Sequence, residues 1–113
     1  MASIDLRSLL ASMSPPILPP AVQEASVRYR CELEGGETWD LVLHQGRLSL
    51  ADKEGKPDCV LQSDPEMLVR IFSGQAKFLP ALARGDVRVQ GSVAAFSYLN
   101  SYVQYAQLVE TNA

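Results

Sequence analysis

The residues that could do chemistry in this 113-residue chain are few, and their spacing keeps them apart. The single histidine, His44, stands beside Gln45-Gly46. A catalytic histidine needs a partner within hydrogen-bond reach, and strand alternation puts His44 on a polar face next to a turn, where an exposed histidine is the simplest reading. Glu32, Glu34 and Asp40 are carboxylates of the kind that serve as paired acid and base. The same alternation turns all three to solvent, leaving such a pair no pocket to sit in. Cys31 and Cys59 lie far apart in the chain with no Cys-X-X-Cys, which reads as two buried free thiols in a reducing compartment. No Gly-X-Ser-X-Gly, His-Glu-X-X-His or glycine-rich phosphate loop occurs, and the ligands for a metal site are lacking. The expectation is a protein without catalysis, cofactor or metal.

Bulk properties narrow the class. Hydrophobic residues make up 47% and charged ones 20%, as in an ordinary single domain. A chain of this length buries about two thirds of its unfolded surface. The net charge of −3 argues against nucleic acid, which needs clustered Lys and Arg. No apolar run is long enough to span a membrane, although transient contact with one stays open. The N-terminus lacks a basic-then-apolar leader, and the chain closes on Glu110-Thr111-Asn112-Ala113 rather than Ser-Lys-Leu, so a cytoplasmic setting is expected.

The elements follow from periodicity. Residues 3–13 suit a short helix capped by Ser3, with Leu6, Leu9, Leu10 and Met13 on one side, and the paired prolines of 15–20 end it. Residues 1–21 are therefore taken as a short helix and Pro-rich arm, and 22–113 as the main domain. From Ser26 to Glu34 the alternation is strict: Val27, Tyr29, Cys31 and Leu33 face inward, Arg28, Arg30, Glu32 and Glu34 outward. Trp39, Leu41 and Leu43 form the next apolar face. A three-residue loop, Gly35-Gly36-Glu37, would pair Leu33 with Trp39 and Cys31 with Leu41. A two-residue Gln45-Gly46 loop would pair Leu43 with Leu48 and Leu41 with Leu50. Ala51–Pro57 reads as a charged loop in solvent.

Pro57 to Gly91 is the organising stretch. Cys59 to Ser63 suits a strand. Ser63 or Asp64 caps a helix carrying Met67, Leu68, Ile71 and Phe72 and closing at Gly74. A second short helix, with Pro80 in its first turn if it starts near Phe78, stops at Gly85. Val87 and Val89 alternate in a fifth strand, and Gly91-Ser92 opens a final helix about 25 Å long. That helix offers one stripe of Val93, Phe96, Leu99, Val103 and Ala106, and an adjacent one of Tyr98, Tyr102, Tyr105 and Val109.

This order and spacing, with Thr38-Trp39-Asp40-Leu41-Val42-Leu43 and Gly46 before it, resembles the sterol carrier protein family, the small lipid-transfer type, over roughly residues 27–103. The family's N-terminal helix is usually longer, so the likeness gives no guidance before about Val22. The fold class expected is α+β: a two-layer sandwich in which helices cover one face of a five-stranded mixed, largely antiparallel sheet. The resemblance adds a hydrophobic tunnel between the layers, holding a sterol, a fatty acyl chain or an isoprenoid. The lining it implies is Trp39, Leu41, Leu50, Leu61, Leu68, Phe72, Phe78, Leu82, Phe96, Leu99 and Val103. Burying about 400 Å² of apolar ligand yields roughly 10 kcal/mol before association costs, enough for micromolar binding without a charged contact. The function implied is intracellular lipid binding and transfer. Two alternatives stand beside it: presentation of a lipid intermediate to biosynthetic enzymes, or a structural module with a filled core. A homodimer or enzyme partner would dock on Tyr98, Tyr102 and Tyr105.

Overall fold

In the computed structural model the described residues are 6–13, 15, 17–52 and 55–111, with side chains of the last helix described through residue 107. The expected cap Ser3 and the stripe residue Val109 fall outside these limits. The elements are α1 (Leu6–Ser12), α2 (Pro20–Glu24), β1 (Ser26–Leu33), β2 (Thr38–His44), β3 (Arg47–Leu50), β4 (Cys59–Ser63), α3 (Pro65–Phe72), α4 (Phe78–Arg84), β5 (Val87–Gly91) and α5 (Val93–Thr111). The strands form one sheet in the order β3-β2-β1-β4-β5, with β1 and β4 parallel and the other pairs antiparallel. This is the five-stranded mixed α+β sheet that the periodicities and the resemblance imply.

Local chemistry sets the helix boundaries. The Asp64 carboxylate accepts from the Glu66 and Met67 amides at 2.7 and 3.4 Å, Pro65 sits at the first helical position, and α3 begins there. Lys77 is the N-terminal cap residue of α4, so Pro80 falls in the first turn, where its missing donor costs nothing. Ser92 Oγ accepts from the Ala95 amide and starts α5. The short helix α2 was not foreseen; it opens on Pro20, the second of a proline pair, at the place where a linker was expected.

The β1–β2 register differs from expectation. Cys31 pairs with Trp39, Tyr29 with Leu41 and Val27 with Leu43, a slide of two residues from the predicted pairing. The Leu33 amide donates to the Glu37 carbonyl at 2.9 Å, so the three-residue loop is Glu34-Gly35-Gly36, one position earlier. The cause lies in the turn: both glycines sit at φ +97°, and the loop is placed so that they occupy the left-handed positions. A two-residue slide preserves the pleat, so every side chain keeps its face. The Gln45-Gly46 turn is as expected, with Leu43 opposite Leu48 and Leu41 opposite Leu50.

Helices cover the inner face, and one core joins both layers. It includes Leu6, Leu10 and Met13 from the N-terminal arm as well as the inward residues of every strand. The outer face carries the connection from edge strand β3 across β2 and β1 to β4. That crossing explains a second correction. Asp40 was assigned to solvent, yet it is only 3% exposed. Arg30 grips it with Nε and Nη2 at 2.9–3.3 Å, Arg28 stands at 3.9 Å, and the connection lies against them. Arg28 Nη1 donates to the Asp52 carbonyl and Arg30 Nη2 to the Gly55 carbonyl. The described part of the 51–58 loop is thus pinned to the outer face instead of standing off in solvent.

Candidate lipid site

The expected lining residues fall into three groups. Trp39, Leu41, Leu61, Leu68, Phe72, Phe78, Phe96, Leu99 and Val103 are buried in the common core. Three rings lock its centre: Phe78 meets Phe72 edge-on at 6.2 Å and Phe96 at 5.2 Å. These side chains lie between sheet and helices, the place to which the resemblance assigns the lining. Leu82 is turned outward at 37% exposure, because the αL cap at Gly85 and the burial of Phe78 and Ala81 aim the other face of α4 at the core. Leu50 alone among the candidates lines an open groove.

That groove lies between α1 and the edge strand β3 and has a volume of about 430 Å³, within the range of small-molecule sites. Leu10, Met13, Leu48 and Leu50 give it apolar walls, Tyr102 reaches it from α5, and Arg7 and Arg47 stand exposed beside it. Neither arginine is in an ion pair among the described residues. The lining thus mixes apolar side chains with polar surface, Ser49 among it, and carries the two arginines at the rim. Nothing in the periodicity of 3–13 pointed to a groove, because one helix cannot show what it packs against.

Tyr102 is also placed differently from expectation. It was grouped with Tyr98 and Tyr105 as a docking surface, whereas it is 1% exposed and its hydroxyl donates to the Met13 carbonyl at 3.1 Å and accepts from the Leu48 amide at 3.3 Å. Burial pushes its hydroxyl pKa up. The helical wheel explains this. With about 100° per residue, the buried set Ala95, Phe96, Leu99, Tyr102, Val103 and Ala106 lies within about 60° of Leu99. Val93 lies about 120° away and is 79% exposed, so its place on the inward stripe is also corrected. Tyr98 and Tyr105 are half-buried.

Other reactive groups are accounted for. His44 is exposed, its Nδ1 3.3 Å from Ser26 Oγ. Tyr29 is buried on β1, donates to the Ala95 carbonyl at 2.6 Å, and is pushed up by burial. Cys31 and Cys59 are free and buried, and burial drives their thiols up to about 12 and about 11. Contrary to expectation, a cleft does open beside Glu32 and Glu34, lined also by Gln62, Asp86 and Arg88 where β4 ends and β5 begins. Its carboxylates are exposed, Glu32 accepts from Gln62 at 2.9 Å and Asp86 from Arg84 at 2.9 Å. Open to water, these carboxylates lack the burial that tunes a carboxyl group for acid–base chemistry. Among the described residues no helix is long and apolar enough to cross a membrane.

Comparison with protein families matches residues 6–104 to the SCP-2 sterol transfer family. The chain belongs to that family. Among solved structures it is similar to "UbiJ-SCP2 Ubiquinone synthesis protein", with a TM-score of 0.67 at 22% identity, covering 89% of this chain and 91% of the other. It is also similar to sterol carrier protein 2 of Aedes aegypti in complex with palmitate (TM-score 0.62, 18% identity, 92% and 98% covered). A third likeness is to one part of the stereoselective inverting sec-alkylsulfatase Pisa1 of Pseudomonas sp. (TM-score 0.66, 13% identity), covering 90% of this chain but 16% of that one. At these identities the likeness is one of fold. A search among curated proteins finds no match.

Proposed function

We propose that this member of the SCP-2 family binds and transfers an amphipathic lipid without catalysing a reaction on it, and that the α1–β3 groove is where the lipid sits. The observation that carries this reading is the groove itself: Leu10, Met13, Leu48 and Leu50 contribute apolar side chains to it, and Arg7 and Arg47 stand at the rim, in no ion pair among the described residues. An apolar chain gains about 25 cal/mol for each Å² it removes from water, and a guanidinium at one end fixes which way the ligand lies. The buried core candidates would then support the groove, with Leu50 touching the ligand. Free, buried thiols fit a reducing compartment, consistent with action in the cytoplasm.

A second reading is that the protein presents a lipid intermediate to biosynthetic enzymes. It is favoured by the fold likeness to a protein described as acting in ubiquinone synthesis, and half-buried Tyr98 and Tyr105 would be the contact. The two readings share the ligand site and differ in the partner.

The test is extraction and mass spectrometry of lipid carried by the purified protein, with displacement of a fluorescent fatty acid alongside. Leu50→Asp puts a charge into the groove wall and should abolish displacement while leaving the fold intact, since Leu50 is only partly buried. Lipid-free protein that takes up no probe, or a Leu50→Asp variant that binds as the natural chain does, would contradict the reading.

A further inference from the structure

The groove has one wall that belongs to the sheet and one that does not. Its sheet wall is β3, an edge strand four residues long, and its other wall is α1, which reaches the rest of the chain through the proline arm. The Gln45-Gly46 hairpin closes on the His44–Arg47 pair, so the next residue, Leu48, directs its amide away from β2 toward the open edge. An unsatisfied edge amide normally faces water. Here the Tyr102 hydroxyl takes it at 3.3 Å and donates in turn to the Met13 carbonyl, just beyond the end of α1, at 3.1 Å. One buried phenol therefore ties both walls together and fixes the width of the space between them.

We infer that α1 is a gate over the groove and that Tyr102 is its latch, a positioning residue that sets how fast a ligand enters and leaves. The inference rests on the groove being the lipid site. With the latch closed, the spacing between Leu10 and Met13 on one side and Leu48 and Leu50 on the other is held constant. Breaking it frees the carbonyl end of α1 while the ring itself stays packed, because only the hydroxyl atom makes the tie. A phenol of the same kind elsewhere supplies the control: Tyr29 is as deeply buried and donates to Ala95, which lines no part of the groove.

The experiment compares Tyr102→Phe with Tyr29→Phe in the full chain. Amide hydrogen exchange is read over residues 6–13 and at Leu48, and release of a bound fluorescent fatty acid is followed by stopped flow. Tyr102→Phe should speed exchange in those segments and speed release by about two- to tenfold, the equivalent of one ordinary hydrogen bond. Tyr29→Phe should lower the melting temperature without either local effect. Equal exchange in the two variants, or faster exchange with unchanged release, would overturn the gate. If the natural protein takes up no probe, the carrier reading falls on its own. The exchange measurement then still decides whether Tyr102 latches α1.

Discussion

Cys31 and Cys59 show how a buried group reports on its surroundings. Their thiols are driven up to about 12 and about 11, against about 8.5 for a thiol in an unfolded chain. The folded protein therefore keeps protons that the unfolded chain releases. That contribution to stability is fully present below about pH 8.5 and is lost as pH rises through the folded values. Thermal melts at increasing pH should show a falling melting temperature above that point, and a level melting temperature across the alkaline range would mean that the thiols are hydrated. In the native state neither thiol should react with a thiol reagent at neutral pH, whereas denaturation without reductant should release both. Phe78 makes the complementary case. Locked between Phe72 and Phe96, it should cost about 3–5 kcal/mol when replaced by alanine, as for a packed ring and not for one facing a void. Urea unfolding measures this, and a much smaller loss would mean that the centre of the core is open.

Among the elements, the sheet was the most legible part. Strict alternation in 26–34 and the Gln45-Gly46 turn specified which side chains face inward, and the observed faces follow from them. Register at the first hairpin was less legible, because Gly35 and Gly36 allow more than one loop and parity cannot distinguish a two-residue slide. Asp40 was misread because alternation assigns a face but does not say what crosses it. Only the fold brings the β3–β4 connection over Arg28 and Arg30. Replacing Arg30 with alanine should therefore loosen that connection, seen as faster amide exchange around Asp52 and Gly55 and a lower melting temperature. Exchange there unchanged would mean that the ion pair is incidental. Gly91, at the end of β5, gives a sharper case. Its φ is +98°, and an added Cβ would stand 2.6 Å from the Asp58 carbonyl oxygen. Gly91→Ala should lose at least about 1–2 kcal/mol from the left-handed backbone alone, and a urea midpoint equal to that of the natural chain would contradict the packing of β5 on β4.

Across the molecule, the SCP-2 fold buries one continuous core between sheet and helices and opens a groove at its α1–β3 margin. The candidate site was only partly legible: nine of the residues expected to line it are buried in the core, Leu82 is turned outward, and Leu50 reaches the groove. A sequence shows which residues avoid water, and it does not show whether another side chain or a ligand keeps the water away. The N-terminal arm decided the outcome, since α1 contributes Leu6 and Leu10 to the core and Arg7 to the rim, and Met13 just after it joins the core. Whether an amphipathic lipid sits between α1 and β3 is decided by titrating isotope-labelled protein with a long-chain fatty acid and following the amide chemical shifts. Saturation at one lipid per chain is expected, with the largest shifts at Leu10, Met13, Leu48 and Leu50. No shifts at all, or shifts confined to residues away from that groove, would contradict it.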